Sequence, residues 1–162
     1  MTPPRVVLVG VAGSGKTTVG LALAAAFSVP FVDADDFHPP ANRERMAKGL
    51  PLDDGMRAPW LAAVHAHLAA EVAAGSGFVL ACSALRQRYR DTLAAGLPPL
   101  RFVHLAADAA TLAARLAARA DHFFRPSLLP SQLAAFEPLV GGEVVDAGLP
   151  VPAIVARLLA MP

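Results

Sequence analysis

Apolar residues fall along this chain in two alternating patterns. The run Val6-Val7-Leu8-Val9 is short, β-branched and uninterrupted, and predicts a strand over Arg5–Val9 buried on both faces. Lys16–Phe27 then places Val19, Leu23, Ala26 and Phe27 at helical spacing, which predicts a helix. The same alternation continues. Strands are expected at 30–32, 78–82, 101–105 and Glu143–Asp146. Helices are expected at 39–48, 60–74, 85–95, 108–119 and 150–160. Gly75 and Gly96 stop two of these helices, and Asp108 is placed to cap a third. Residues 10–15, 49–59 and 121–130 read as loop or irregular chain. Strands alternating with helices predict an α/β fold, a parallel sheet covered by helices on both faces and joined by right-handed crossovers. In such sheets ligands bind beyond the C-terminal ends of the strands. The chemistry is therefore expected after the first three strands.

A length of 162 residues suits one domain, 1–162, with enough chain to bury a core unaided. The hydrophobic fraction of 55% excludes intrinsic disorder, and a net charge of +1 gives no broad basic field for nucleic acid. Cys82 is the single cysteine, so no internal disulfide forms, which fits a reducing compartment. It reads as a small buried hydrophobe at a strand end. Mean hydropathy is high at +0.48, but Glu71, Asp108, Arg115 and Arg119 interrupt the alanine-rich stretches. Those stretches are expected to be buried or half-buried helices and not membrane spans, and no targeting segment is expected.

Gly10-Val11-Ala12-Gly13-Ser14-Gly15-Lys16-Thr17 matches G-x-x-x-x-G-K-[ST] in full, with a strand before it and a helix after. Glycines let the backbone close around phosphate oxygens with N–H groups aimed inward, and the helix start adds its positive dipole end. Lys16 suits the β- and γ-phosphates and Thr17 suits Mg²⁺. This motif indicates a nucleoside triphosphate without fixing the reaction. A small-molecule kinase, a GTPase switch and an ATPase module all use it. No Asn-Lys-x-Asp segment for guanine occurs, and the strand at 78–82 runs into Ser83 and Ala84 instead of an acid. The short chain also suits a small kinase.

Asp33 and Asp35 follow the second strand, where alternation places them on one side. One can hold Mg²⁺ or its water, and the other can accept the proton of an attacking hydroxyl. Arg57 stands in an acid- and proline-rich stretch, and its planar fork suits a carboxylate. Arg115 and Arg119 end a helix just before Asp121-His122-Phe123-Phe124. They either satisfy that helix end or belong to a lid, about 119–130, that carries positive charge to the γ-phosphate. The five histidines form no zinc-site spacing. His65 and His67 are expected to be surface or satisfied helix residues and His104 structural, and only His38 and His122 fall in the suspected site.

These segments together resemble the small gluconokinases, relatives of shikimate kinase. The resemblance runs through the phosphate loop, Asp33-Ala34-Asp35-Asp36-Phe37-His38-Pro39 with Asn42, Met46 and Gly49, and Pro51-Leu52, Arg57 and Pro59-Trp60-Leu61. It continues through Ala81-Cys82-Ser83-Ala84-Leu85-Arg86, Tyr89-Arg90-Asp91, His122-Phe123-Phe124, Leu128-Leu129, Ser131-Gln132 and Glu137-Pro138. It implies a three-layer nucleoside-kinase-like fold with a five-stranded parallel sheet and a mobile lid. It also implies ATP and Mg²⁺, phosphorylation of D-gluconate at its 6-hydroxyl, a cytoplasmic location and a homodimer. It assigns the nucleotide to Gly10, Val11, Ala12, Gly13, Ser14, Gly15, Lys16, Thr17 and Thr18, with Arg115 and Arg119. Catalysis goes to Lys16, Asp35 and Arg119, the metal to Thr17 and Asp33, and the acceptor to Asp35, His38, Arg57, Arg86 and His122. Two positions depart from the family pattern. Met56 stands where an acid usually precedes the arginine, and Arg86 replaces a common lysine. A kinase for another small hydroxy acid is the alternative, followed by a non-enzymatic nucleotide sensor.

Overall fold

A computed structural model describes residues 2–119 and 124–161. Its centre is β1 (Arg5–Val9), whose side chains alternate between two buried faces. On one face Val7 and Val9 pack with Trp60, Leu61, Val64 and Leu68 of α3 (Asp54–Ala73) and Tyr89 and Leu93 of α4 (Gln87–Ala94). On the other, Val6 and Leu8 meet Val19 and Leu23 of α1 (Lys16–Phe27) and Ile154 and Leu158 of α7 (Val151–Ala160). A strand flanked by helices on both sides has no face left for polar residues, which explains its uninterrupted apolar run.

β2 (Phe31–Asp33), β3 (Phe78–Ala81), β4 (Arg101–Ala106) and β5 (Glu143–Asp146) complete the sheet in the order β2-β3-β1-β4-β5. Every pairing is parallel, with Val7 opposite both Leu80 and Phe102. The expected α/β architecture and five-stranded parallel sheet are both present. Because all strands run the same way, the chain leaving β1, β2 and β3 emerges at one edge. A third apolar cluster lies there, formed by Val11, Met46, Leu52, Leu85, Leu112, Leu116, Phe124, Leu128 and Leu129. It draws on α2 (Pro40–Ala47), α5 (Ala109–Ala117) and α6 (Leu129–Ala135).

Three local expectations are corrected. First, the stretch 49–59 is not all loop, because α3 begins at Asp54. Asp53 caps it by accepting the Met56 N–H at 2.8 Å, and Pro59 lies inside the helix. Proline removes one intrahelical bond, which is tolerated close to the N-terminus. Arg57 therefore projects from the first turns of a helix, not from a loop. Second, β2 ends at Asp33 and the chain turns at once into a 3₁₀ turn, Ala34–Phe37. Strand alternation is not what brings Asp33 and Asp35 together. Third, residues 129–135 form α6, preceded by a 3₁₀ turn at Pro126–Leu128. Pro130 sits in the first turn of α6, where its missing N–H is no loss.

Candidate active site

The phosphate loop closes over the end of β1 with Gly13 and Gly15 in left-handed conformations, φ +86° and +89°. A Cβ at Gly13 would also stand 3.0 Å from the Leu112 carbonyl oxygen, so glycine is required there for space as well as conformation. Gly15 is the N-cap of α1, whose first turn holds no acidic residue to compete for its N–H groups. Lys16 folds back over the loop and donates through Nζ to the carbonyl oxygens of Gly10 and Val11, at 2.9 and 3.0 Å. Burial pulls its pKa down, while the Asp35 carboxylate works against that shift. Ala12 N–H donates to Oε1 of Gln132 on α6 at 2.8 Å. The Ser14 hydroxyl is buried with no partner among the described residues, and Thr18 lies exposed on α1 next to Thr17.

Two hard oxygen donors stand side by side at the mouth of the loop. Thr17 Oγ1 lies 3.4 Å from Asp33 Oδ2, while Asp33 Oδ1 accepts the Asp35 N–H at 2.9 Å. Oxygen ligands of this kind suit Mg²⁺, which takes few protein ligands and fills its octahedron with phosphate oxygens and water. The donor set therefore fits the ion.

Facing the loop, Asp35 lines the cleft with a pKa pushed up to about 6, first by burial and then by the neighbouring Asp33 carboxylate. His38 is buried beside it, with Nε2 3.8 Å from Asp35 Oδ1. Arg43 donates to the Asp35 carbonyl oxygen at 2.6 Å. Arg57 reaches the same cleft and donates to the Tyr89 hydroxyl at 3.3 Å. Tyr89 in turn donates to Asp54 Oδ1 at 2.6 Å, and Arg88 pairs with the other Asp54 oxygen at 2.5 Å. An acid thus reaches Arg57 through Tyr89, although the adjacent position is Met56. The cleft between the phosphate loop, Asp35 and Arg57 is open to solvent.

The turn after β3 forms one wall. Ala84 holds φ +37°, a left-handed conformation that costs a residue with a side chain. Arg90, only 1% exposed, secures it by donating to the carbonyl oxygens of Ala84 and Leu85 at 2.8 and 3.0 Å, and to that of Glu137 at 2.5 Å. Cys82 is buried in this wall and its thiol is pushed up to about 12 by burial, which leaves it a packing residue.

Most of the expected site residues gather here. Lys16, Thr17, Asp33, Asp35, His38, Arg57 and Arg119 all line the cleft. Two do not. Arg86 faces Glu137, with Nη1 3.5 Å from Oε1. Arg115 braces the phosphate loop from behind, donating to Gly13 O and Ser14 O at 3.3 and 3.4 Å and to Ala147 O at 2.7 Å. His122 lies outside the described residues, as does the whole segment 120–123. Residue-type reasoning gave no role to Asn42, Trp60, Tyr89 or Gln132. Trp60 and Tyr89 are the single tryptophan and tyrosine of the chain, and a lone aromatic with a polar tip near charged residues was the available signal.

A complete phosphate loop at the end of a parallel strand, facing an acid and an arginine across one cleft, defines a P-loop kinase: a transferase that binds a nucleotide on one side and a small acceptor on the other. The family model described as AAA domain matches residues 6–139. A gluconokinase of Gluconobacter oxydans is 48% identical over 137 residues, covering 85% of this chain and 77% of that protein. The crystal structure of a gluconokinase from Sinorhizobium meliloti superposes with a TM-score of 0.86 at 41% identity, covering 98% of this chain and 91% of the other. An unliganded sugar kinase from Janibacter superposes with a TM-score of 0.91 at 39% identity, covering 97% and 92%. The chain belongs to the gluconokinase family.

Proposed function

We propose that this protein transfers the γ-phosphoryl group of ATP to the 6-hydroxyl of D-gluconate, giving 6-phosphogluconate and ADP. The observation that carries the reading is the placement of Asp35 and Arg57 in one cleft opposite Lys16. Gluconate offers a carboxylate for the guanidinium of Arg57 and hydroxyls for Asp35 and His38. Lys16 exchanges its two loop carbonyls for phosphate oxygens when the nucleotide arrives, and the N–H groups at the start of α1 hold the same anion. Arg119, which also lines the cleft, adds positive charge. Asp35 accepts the proton of the attacking hydroxyl as the new O–P bond forms and the bond to the bridging oxygen of ADP breaks. Thr17 and Asp33 would hold Mg²⁺, which would supply neutralisation of the phosphate charge.

Arg115 keeps the loop in shape through its bonds to the Gly13 and Ser14 carbonyl oxygens. A lid over about 119–130, a cytoplasmic location and a homodimer belong to the same proposal, supported by the family likeness. Among the described residues no helix is long and apolar enough to cross a membrane. The acceptor atom is tested by running the reaction to completion and examining the product by ³¹P and ¹³C NMR. Phosphate coupled to C6 of gluconate is expected. Phosphate on another carbon, or free phosphate alone, contradicts the assignment.

A further inference from the structure

The His38 ring is held on two sides. Trp60 stacks on its face, with centroids 4.2 Å apart and planes inclined by 15°. Trp60 is itself anchored by donation from Nε1–H to the Ala34 carbonyl oxygen at 2.7 Å. On the ring edge, Asn42 Nδ2 lies 3.2 Å from His38 Nδ1 and 3.0 Å from the Met56 carbonyl oxygen. A backbone carbonyl only accepts, so the Asn42 atom facing it is the amide nitrogen and not the oxygen. The second hydrogen of that same NH₂ group points at the ring. Nδ1 therefore accepts, and in a neutral imidazole the proton sits on Nε2. The neutral form is favoured, because burial, Arg43 and Arg57 bring the pKa down to about 4. Nε2 faces the cleft 3.8 Å from Asp35 Oδ1, farther than a direct hydrogen bond reaches.

This arrangement divides two tasks. A hydroxyl entering the cleft gives its proton to Asp35, while its oxygen can accept a hydrogen bond from Nε2–H. With the other tautomer, His38 would instead compete with Asp35 for the same proton. We infer that Asn42 is a positioning residue that fixes His38 in the Nε2–H form, making His38 a hydrogen-bond donor to the acceptor hydroxyl. The identity of that hydroxyl rests on the gluconate reading. The tautomer does not.

Long-range ¹H–¹⁵N NMR of histidine-labelled wild-type protein, ligand-free at neutral pH, reads the tautomer directly. The His38 signals are assigned by their loss in His38→Gln. A protonated Nε2 with a pyridine-type Nδ1 is expected, and a protonated Nδ1 overturns the inference. Asn42→Asp replaces the donor by an acceptor. It should move the ring proton to Nδ1 and raise the KM for gluconate about tenfold, with the KM for ATP changed less than twofold. An unchanged tautomer in that variant overturns the role of Asn42. A switched tautomer with an unchanged gluconate KM overturns the donor role of His38. If the variant does not fold, the wild-type spectrum still decides the tautomer. Gluconate added to wild type with a non-hydrolysable ATP analogue should then shift the Nε2 signal, and no shift overturns the donor role. Failure of the gluconate reading looks different, because wild type would then release no ADP in response to gluconate while the ligand-free tautomer stays as stated.

Discussion

Asp35 meets two requirements of a general base at neutral pH: it faces the acceptor side of the cleft, and its pKa is pushed up to about 6 by burial and by Asp33. The rate with acceptor should therefore rise through about pH 6 and level off above it, as the carboxylate becomes able to take a proton. Asp35→Asn should lower kcat by roughly 10²–10⁴-fold, abolish that acid limb and leave ATP binding nearly intact. Steady-state kinetics across pH with a direct ATP-binding titration check this, and an equal loss of ATP affinity would move Asp35 to the metal site. Arg57→Ala should raise the KM for gluconate by roughly 10–100-fold, the usual scale for losing a charge-assisted pair, with little change in the KM for ATP. The phosphate loop, the two acids and Arg57 were legible in the sequence because their chemistry depends on residue type and local spacing. Tyr89, Asp54 and Gln132 were not. Their roles depend on contacts 32 to 120 residues away in the chain, such as Arg57 to Tyr89 and Ala12 to Gln132, which no local pattern encodes.

The strands and the long helices follow from periodicity alone, and Arg5–Val9, Lys16–Phe27 and Glu143–Asp146 fall at the expected boundaries. The start of α3 does not. Pro59 and the acidic Asp53-Asp54-Gly55 stretch read as a loop, whereas Asp53 is the cap that starts the helix. Asp53→Ala should cost about 1 kcal/mol of stability through loss of that cap, measured by urea unfolding. A cost near zero would mean that packing against the sheet alone sets the start of α3. α6 was hidden because its seven residues carry too little periodicity to separate from loop. Arg90 shows the same limit in reverse. An arginine in a half-polar helix reads as surface charge, yet here it is buried and ties Ala84, Leu85 and Glu137 together. Arg90→Met should destabilise the fold by about 3 kcal/mol or more, because several buried carbonyl oxygens lose their donor. A variant as stable as wild type would show that the turn after β3 holds without it.

At the scale of the whole molecule, two groups in the cleft oppose each other in the pH dependence of stability. His38 is brought down to about 4 from its ordinary 6.5, so the unfolded chain binds a proton that the folded one refuses. Its contribution is complete above about pH 6.5 and is lost as the pH falls toward 4. Asp35 runs the other way. Raised from 3.8 to about 6, it stabilises the fold below 3.8 and loses that contribution as the pH rises through 6. The windows overlap, so each offsets the other in the ligand-free protein. Asp35→Asn removes one side, and its stability should fall more steeply than that of wild type between pH 6.5 and 4 in urea unfolding. Parallel pH profiles would show that the two groups do not offset each other. The central claim is that the cleft joins a nucleotide to a sugar acid, and coupled detection of ADP release tests it most directly. Mg-ATP is supplied with gluconate, shikimate, other sugar acids, nucleoside monophosphates or no acceptor, with Lys16→Ala run beside wild type. The account predicts turnover stimulated by gluconate and abolished in Lys16→Ala. Stimulation by a nucleoside monophosphate, or a slow turnover indifferent to every acceptor, would contradict it.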